Sequence, residues 1–147
     1  MNDTYVVDAS VIAKWYLLDE EGANMAASVL QAFAENRLTL VAPSLVSYEV
    51  ARALQKAYRQ RRIASDVAQQ RLRDLHDLDL EVFHEPEILR LALQLAFRHA
   101  CNFYDACYLA LAEVLGVPFL CADERLQRQL AGRVDYLVTL DRLELPE

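Results

Sequence analysis

Short apolar runs alternate with longer helical segments along the whole chain, and this alternation limits the possible folds more than any other feature. Apolar runs of this length are typical of strands buried on both faces, and helices are the usual connections between parallel strands. We therefore predict an α/β fold with three layers, α/β/α, around a central, mostly parallel sheet of about five strands. The predicted strands are Tyr5–Asp8, Leu38–Val41, Leu80–Phe83, Val117–Ala122 and Val134–Val138.

Residues that favour helix ends separate the predicted strands. Pro43–Ser44 and Pro86 are suited to helix entry, Ser65–Asp66 to an N-terminal cap and Gly116 to a C-terminal cap. The helices predicted from these signals are Ser10–Leu17, an alanine-rich helix ending near Asn36, and helices that begin near Pro43, Ser65, Pro86, Phe103 and Asp123.

Size and composition fit a single domain over residues 1–147. With 54% apolar residues the core can be large, and only 3 Gly and 4 Pro leave little room for linkers. The 3 cysteines lack metal-binding spacing, so we expect them to be reduced and buried. We see neither a basic leader nor an uninterrupted apolar stretch of membrane-spanning length, and therefore expect a soluble, cytoplasmic protein with no membrane contact.

The charge of the chain is negative overall but unevenly spread. A net charge of −7 and a pI near 4.9 argue against nonspecific binding of nucleic acid. The segment between Glu49 and Asp66, however, contains basic residues and no acid. Composition alone favours a solvated helix face for them, whereas their position just after a candidate active-site acid favours contact with RNA. The possible RNA contacts are Arg52, Lys56, Arg59, Arg61 and Arg62.

Two acids directly follow predicted strands. Asp8 ends the first strand, and Asp123 follows the apolar run that ends at Ala122. In open α/β sheets the functional site lies beyond the carboxyl ends of the strands, where such residues become neighbours. As N-terminal caps of the helices that follow, both acids would also be explained without any function.

Two further acids lie within apolar helices. Glu49 shares a helix face with Val46 and Val50, where an unpaired carboxylate is costly. Asp105 stands in a helix that is apolar almost all round. The alternative explanations are a long side chain that reaches solvent, for Glu49, and a favourable interaction with the helix dipole, for Asp105.

The four acids together suggest a metal site. Clustered carboxylates repel one another unless a cation neutralises them. Oxygen ligands without a Cys/His set favour Mg²⁺ or Mn²⁺ over Zn²⁺, and His76, His84 and His99 have no ligand spacing. Such a site suits the metal-assisted hydrolysis of phosphodiesters. The candidate ligands, which are also the candidate catalytic residues, are Asp8, Glu49, Asp105 and Asp123.

The segments around these acids resemble the PIN-domain family, specifically the VapC-type toxins of bacterial toxin–antitoxin pairs. The resemblance covers nearly the whole chain in order and spacing. It implies a PIN-like fold and an Mg²⁺-dependent endoribonuclease, with Mn²⁺ able to substitute. It also implies an RNA substrate, a homodimer and a cognate antitoxin whose tail enters the acidic pocket. A pocket of four carboxylates is a natural site for an inserted Arg or Lys, which could compete with the metal by charge. The matching segments are Val7–Val11, Ser47–Val50, Phe103–Ala106 with Tyr108–Ala112, and Ala122–Leu126.

By position, the resemblance makes Asp8 and Asp105 the principal metal ligands, with Glu49 and Asp123 completing the pocket directly or through water. Ser10 would hydrogen-bond Asp8 or a water beside the metal from outside the ligand set. Cys121 stands where the family usually has Thr or Ser. Because a thiol is a poorer hydrogen-bond partner than a hydroxyl, we expect weaker support of Asp123 and a lower catalytic rate.

Two other functions remain open from the sequence. A phosphotransferase with an aspartyl nucleophile would also place Asp8 after the first strand, but its usual second Asp is replaced by Ser10, and Lys14 lies in a helix. A catalytically weak or inactive PIN-like module that binds RNA or a protein partner would tolerate Cys121. Metal-dependent RNA cleavage that is lost on substitution of Asp8 separates these possibilities.

The sequence also suggests where an antitoxin would find apolar contact area. One candidate surface is the first helix with Val11, Ile12, Trp15 and Tyr16, and the other is the helix that contains Tyr48 and Tyr58. We interpret Trp15 as a core or interface residue and not as a platform for stacking RNA bases.

Overall fold

Five parallel strands form one sheet in the computed structural model, which describes residues 3–147. Met1 and Asn2, part of the domain predicted over 1–147, lie outside the described residues. The α/β prediction is confirmed, and every strand pair is parallel. The strands are β1 (Asp3–Val7), β2 (Leu38–Pro43), β3 (Glu81–Phe83), β4 (Phe119–Cys121) and β5 (Leu137–Thr139).

Helices connect these strands. Within residues 3–147 they are α1 (Ala9–Tyr16), α2 (Ala23–Ala34), α3 (Val46–Arg59), α4 (Ser65–His76), α5 (Pro86–His99), α6 (Phe103–Leu115) and α7 (Glu124–Leu130), with a short 3-10 turn at Leu140–Arg142. None of them is both long enough and apolar enough to cross a membrane.

The strand order β3-β2-β1-β4-β5 brings the ends of β1 and β4 together. The chain builds the sheet outwards from β1 to β3 and then returns to the other side of β1 with β4. Val7 is in register with Leu120, and the backbone N–H of Asp8 donates to the Leu120 carbonyl at 2.9 Å. This point is the topological switch of the sheet, where α/β proteins form their sites.

Two apolar cores cover the two faces of the sheet. Alternate residues of β1 point to opposite sides, so Val7 packs with α1 to α4 whereas Val6 packs with α5, α6 and α7. Helix α6 is the most deeply placed, since every residue from Ala106 to Ala112 is buried. The three-layer arrangement is therefore confirmed, with α6 buried against β1 on one face of the sheet.

One predicted helix start is wrong, and one predicted cap is displaced by a single residue. Pro43 is the last residue of β2 and pairs with Phe83 of β3, so α3 begins only at Val46. Proline has no backbone N–H, but at the end of a strand that donor is not needed for the ladder. Pro43 can therefore close β2, and it does not mark the start of α3. Ser65 is the first residue of α4 and not its cap, since Ala64 holds the extended cap conformation. Gly116 does cap α6, with φ of 66°.

Candidate functional site

Asp8 is the most constrained acid of the chain. It follows β1, caps α1, and is only 7% exposed. Its Oδ2 accepts the Ser10 backbone N–H at 3.1 Å and the Ser10 hydroxyl at 2.5 Å. Burial raises the pKa of Asp8 to about 7, the Ser10 hydrogen bonds oppose this rise, and the charges of Glu49 and Asp105 add to it. The helix-cap explanation is thus also correct, but a cap at the surface would not require this burial.

Ser10 and Cys121 tie Asp8 to the end of β4. The Ser10 hydroxyl accepts the Ala122 backbone N–H at 3.0 Å. The Cys121 thiol lies 3.8 Å from Asp8 Oδ2, and its Sγ accepts the Asp123 backbone N–H at 3.3 Å. Cys121 therefore contacts both strand-end acids, whereas the sequence suggested a role at Asp123 alone.

Cys101, Cys107 and Cys121 are all free thiols, although Cys101 is only partly buried.

Asp123 and Asp105 approach one guanidinium group from two helices. Asp123 caps α7 by accepting the Leu126 backbone N–H at 3.2 Å, and Asp105 lies in the first turn of α6. The Nη2 atom of Arg125 is 3.6 Å from Asp105 Oδ2 and 3.8 Å from Asp123 Oδ2. Burial raises the pKa of Asp105, the charge of Arg125 lowers it, and Asp123 raises it again. Asn102 caps α6, and Asp105 lies in the first turn of that helix, where the helix dipole also favours a carboxylate.

Glu49 is held towards α6 by a tyrosine. The Tyr108 hydroxyl donates to Glu49 Oε1 at 2.6 Å, and the Tyr108 ring stacks on Phe119 of β4 with 5.5 Å between centroids. Burial raises the pKa of Glu49, the Tyr108 hydrogen bond opposes this, and the charge of Asp105 adds to it. Glu49 is half-buried, at the edge of the apolar face that contains Val46 and Val50.

Sequence reasoning assigned no role to Tyr108 or Arg125. A signal was present for Tyr108, because it stands one helical turn after Asp105 in an apolar helix, and a buried tyrosine hydroxyl requires a partner. For Arg125 the signal was its position two residues after Asp123, where a helix-starting side chain can turn back over the strand ends.

Electrostatic interactions link the four predicted acids in pairs, and Asp105 interacts with each of the other three. Asp8 is influenced by Glu49 and Asp105, and Asp105 by Asp123. As the side chains stand, no three His, Cys, Asp or Glu residues within 3–147 lie close enough together to enclose a metal ion. The chemistry of the donors nevertheless fits Mg²⁺ or Mn²⁺, since all four supply carboxylate oxygens.

The Asp8 carboxylate also retains capacity for a cation. Within residues 3–147 its described hydrogen bonds all fall on Oδ2, including the one from the Cys121 thiol. A buried carboxylate with one oxygen free of hydrogen bonds is suited to bind a metal ion. A nearby positive charge offsets the free-energy cost of removing the charged carboxylate from water.

The basic segment divides into two groups. Arg62 donates to Asp19 at 2.7 and 2.8 Å and to Glu20 at 3.0 Å, so it fastens the chain after α3 to the turn between α1 and α2. The other members of the segment point to solvent: they are Arg52, Lys56, Arg59 and Arg61. Their contact with RNA remains a prediction.

One proposed apolar surface is wrong, because it is not a surface. Val11 and Ile12 are completely buried and Trp15 is 6% exposed, since they form the core beneath α1. The expectation that Trp15 is a core residue is confirmed. On α3, in contrast, Tyr48 and Tyr58 are exposed.

Comparisons with known proteins agree with this architecture. A family model described as "PIN domain" matches residues 5–132. The chain is 38% identical to ribonuclease VapC3 of Pyrobaculum aerophilum over 136 residues, which cover 91% of this chain and 97% of that protein. A solved structure from the same organism has a TM-score of 0.69 at 23% identity, covering 96% of this chain and 93% of the other. A toxin–antitoxin complex from Klebsiella pneumoniae contains a chain with a TM-score of 0.62 at 15% identity, with 95% and 99% covered.

Proposed function

We propose an Mg²⁺-dependent endoribonuclease activity for this chain, which belongs to the PIN-domain family and is of the VapC type. The relative with 38% identity is named a ribonuclease, and the identity extends over almost the whole chain. The observation that carries the proposal is the buried Asp8 carboxylate at the β1–β4 switch point, with three further carboxylates within range of its charge or of one another.

Asp8, Glu49, Asp105 and Asp123 would hold the metal. A bound Mg²⁺ supplies positive charge for the scissile phosphate and lowers the pKa of an attacking water. Without a cation, burial and mutual repulsion keep the pKa of Asp8 near 7 and raise those of Glu49 and Asp105 above their ordinary values. Mn²⁺ has the same preference for oxygen ligands and would substitute for Mg²⁺.

Residues outside the ligand set fix the orientation of these acids. Ser10 holds Asp8 Oδ2 and is itself anchored to Ala122, while Tyr108 holds Glu49 from the buried helix α6. Arg125 partly neutralises Asp105 and Asp123, and its side chain is largely exposed. It can therefore move away from the two acids at little cost when a metal or a phosphate group arrives.

We also propose that the protein is the toxin of a toxin–antitoxin pair and that its antitoxin occupies the acidic site with an Arg or Lys side chain. Arg125 already occupies part of this site, which supports the fit of a guanidinium there. The exposed helix face around Tyr48 and Tyr58 offers apolar contact area to such a partner. Co-expression with the neighbouring gene should silence the ribonuclease activity, and unchanged activity would contradict this part of the proposal.

The homodimer implied by the family resemblance stays a proposal as well. Helix α5 exposes Leu89, Leu93 and Phe97 at a spacing of four residues, which places them on one side of the helix. A stripe of large apolar side chains on a surface helix is typical of an interface between proteins. Sedimentation of the purified chain as a dimer is expected, and a monomer at all concentrations would exclude it.

RNA cleavage by the purified protein tests the activity. We expect cleavage with Mg²⁺ or Mn²⁺, none with excess EDTA, and recovery when metal is restored. Asp8→Asn should lose at least about a hundredfold in rate, as expected when a group that stabilises transition-state charge is removed. Asp135→Asn, a matched change of an exposed acid far along the chain, should cleave like the wild type. Equal cleavage by Asp8→Asn and the wild type would contradict the proposed site.

A further inference from the structure

An aromatic groove lies beside the acidic site and has no role in the proposed metal chemistry. It encloses about 230 Å³ and is lined by Ser44, Tyr48, Phe83, His84, Phe103 and Tyr104, among other residues. This volume is below the roughly 300–1,000 Å³ typical of pockets for drug-sized ligands, so the groove suits a single planar group. Its aromatic walls come from three separate elements: α3, β3 and α6.

The groove adjoins the acids directly. Tyr48 precedes Glu49 on α3, and Tyr104 precedes Asp105 on α6. The Cys107 thiol also lines the groove, and its pKa is raised to about 11, first by burial and then by the charges of Glu49 and Asp105. Each of the two tyrosines is therefore the immediate chain neighbour of a proposed metal ligand.

The two tyrosines of the groove are exposed to solvent and do not belong to the core. Tyr48 is 79% exposed and Tyr104 is 58% exposed. Tyr104 touches Phe103 edge-on, with 5.9 Å between ring centroids, which fixes one ring against the other. Neither tyrosine hydroxyl has a described hydrogen-bond partner among residues 3–147, so no polar contact of these hydroxyls competes with a ligand.

Two polar side chains also line the groove. The Ser44 hydroxyl and His84 Nδ1 are 3.1 Å apart, and both residues line the groove. Together they provide hydrogen-bond donors and acceptors beside an otherwise apolar space. An unstacked nucleobase combines the same features, namely two apolar faces and a polar edge.

We infer that this groove binds an unstacked base of the RNA substrate next to the scissile phosphate, by stacking on Tyr48 and Tyr104. The inference rests on the proposed ribonuclease function and adds to it a site that selects single-stranded or splayed-out segments. Aromatic stacking accepts any base. The two tyrosines therefore contribute affinity for RNA and a preference for single-stranded over double-stranded segments. The Ser44–His84 pair, which can address a base edge, contributes the preference among bases.

Binding of short RNA in EDTA tests this separately from cleavage. The probes are a fluorescein-labelled single-stranded RNA of mixed sequence and an abasic ribose-phosphate oligomer of the same length, measured by fluorescence anisotropy. The wild type should bind the base-containing RNA more tightly than the abasic oligomer. Tyr48→Ala and Tyr104→Ala should each lose roughly tenfold in affinity for the mixed RNA. Their affinity for the abasic oligomer should not change, because the phosphate contacts remain.

Two kinds of variant serve as controls. Tyr48→Phe and Tyr104→Phe keep the ring and should bind like the wild type. Tyr58→Ala removes a tyrosine that is 51% exposed on the same helix but outside the groove, and should also bind like the wild type. Circular dichroism and melting temperature confirm that each variant is folded.

The inference is overturned if the Tyr48→Ala/Tyr104→Ala double variant still distinguishes base-containing from abasic RNA as the wild type does. Equal loss of affinity for both probes would also overturn it, because the tyrosines would then act on phosphate binding or on the fold. Failure of the ribonuclease proposal itself would appear differently, as absence of cleavage by the wild type with Mg²⁺ or Mn²⁺.

Discussion

At the scale of single residues, Asp8 links the acidic site to the stability of the chain. Its pKa in the folded protein is about 7, against an ordinary value of 3.8, because burial disfavours the charged form. Between these two values the folded chain retains a proton that the unfolded chain releases. The free energy of unfolding of the metal-free protein should therefore fall as the pH rises from about 4 to about 7.

Urea denaturation in EDTA measures this dependence. For one proton the slope approaches about 1.4 kcal/mol per pH unit at most. Asp8→Asn removes the titrating group, so its unfolding free energy should fall less steeply over the same pH range. Identical slopes for the wild type and Asp8→Asn would show that Asp8 is not the group responsible.

Cys121 gives a second test at this scale. Its thiol lies 3.8 Å from Asp8 Oδ2, and a hydroxyl in its place would be a stronger donor to the carboxylate. Cys121→Ser should therefore lower the pKa of Asp8, and the acidic limb of the pH profile of RNA cleavage should move to lower pH. Cys101→Ser, at the partly exposed cysteine, is the control and should leave the profile in place. If the acidic limb does not move in Cys121→Ser, the Cys121 contact does not influence the pKa of the group that controls cleavage at low pH.

The residues that were predictable from sequence are those whose local surroundings are unusual. Asp8 and Asp123 each directly follow an apolar run, and Ser10 is two residues from Asp8, so these features can be recognised from local sequence. The Tyr108–Glu49 hydrogen bond joins residues 59 positions apart. This hydrogen bond forms only when α3 and α6 pack next to each other. The periodicity of apolar residues within either helix does not show that Tyr108 and Glu49 will meet.

At the scale of elements, the basic segment after Glu49 illustrates how a charge pattern can combine two roles. The sequence treats Arg59, Arg61 and Arg62 alike, whereas in the structure Arg62 is bound to Asp19 and Glu20. The start of α3 was predicted near Pro43 and lies at Val46 for a similar reason, since the local signal at Pro43 does not include its pairing with β3.

The two groups of basic residues should respond differently to substitution. Arg59→Gln and Arg61→Gln should weaken RNA binding and flatten its salt dependence, because fewer counterions are released. Arg62→Gln should lower the free energy of unfolding by up to about 1 kcal/mol, since it removes an ion-pair network that is partly exposed. Titrations of RNA at several salt concentrations, together with urea denaturation, measure both effects. If the salt dependence is flattened only in Arg62→Gln, then Arg62 contacts RNA and Arg59 and Arg61 do not.

At the scale of the whole molecule, the fold was predictable and the detailed geometry of the site was not. The alternation of strands and helices predicts a parallel sheet with covered faces, and chirality and connection rules leave few ways to order such strands. The strand order then fixes which acids become neighbours. The orientation of each carboxylate depends on Arg125, Tyr108 and Ser10, whose contacts arise only after the layers have packed.

The central claim is that Asp8, Glu49, Asp105 and Asp123 form one metal site at the carboxyl edge of β1 and β4. The most direct measurement is the anomalous scattering of Mn²⁺ soaked into crystals of the wild-type protein and of Asp8→Asn. We predict an anomalous peak within about 2.0–2.5 Å of the carboxylate oxygens of Asp8 and Asp105 in the wild type, and its loss in Asp8→Asn. A protein that cleaves RNA with Mn²⁺ while its only ordered Mn²⁺ lies away from these carboxylates would contradict the claim.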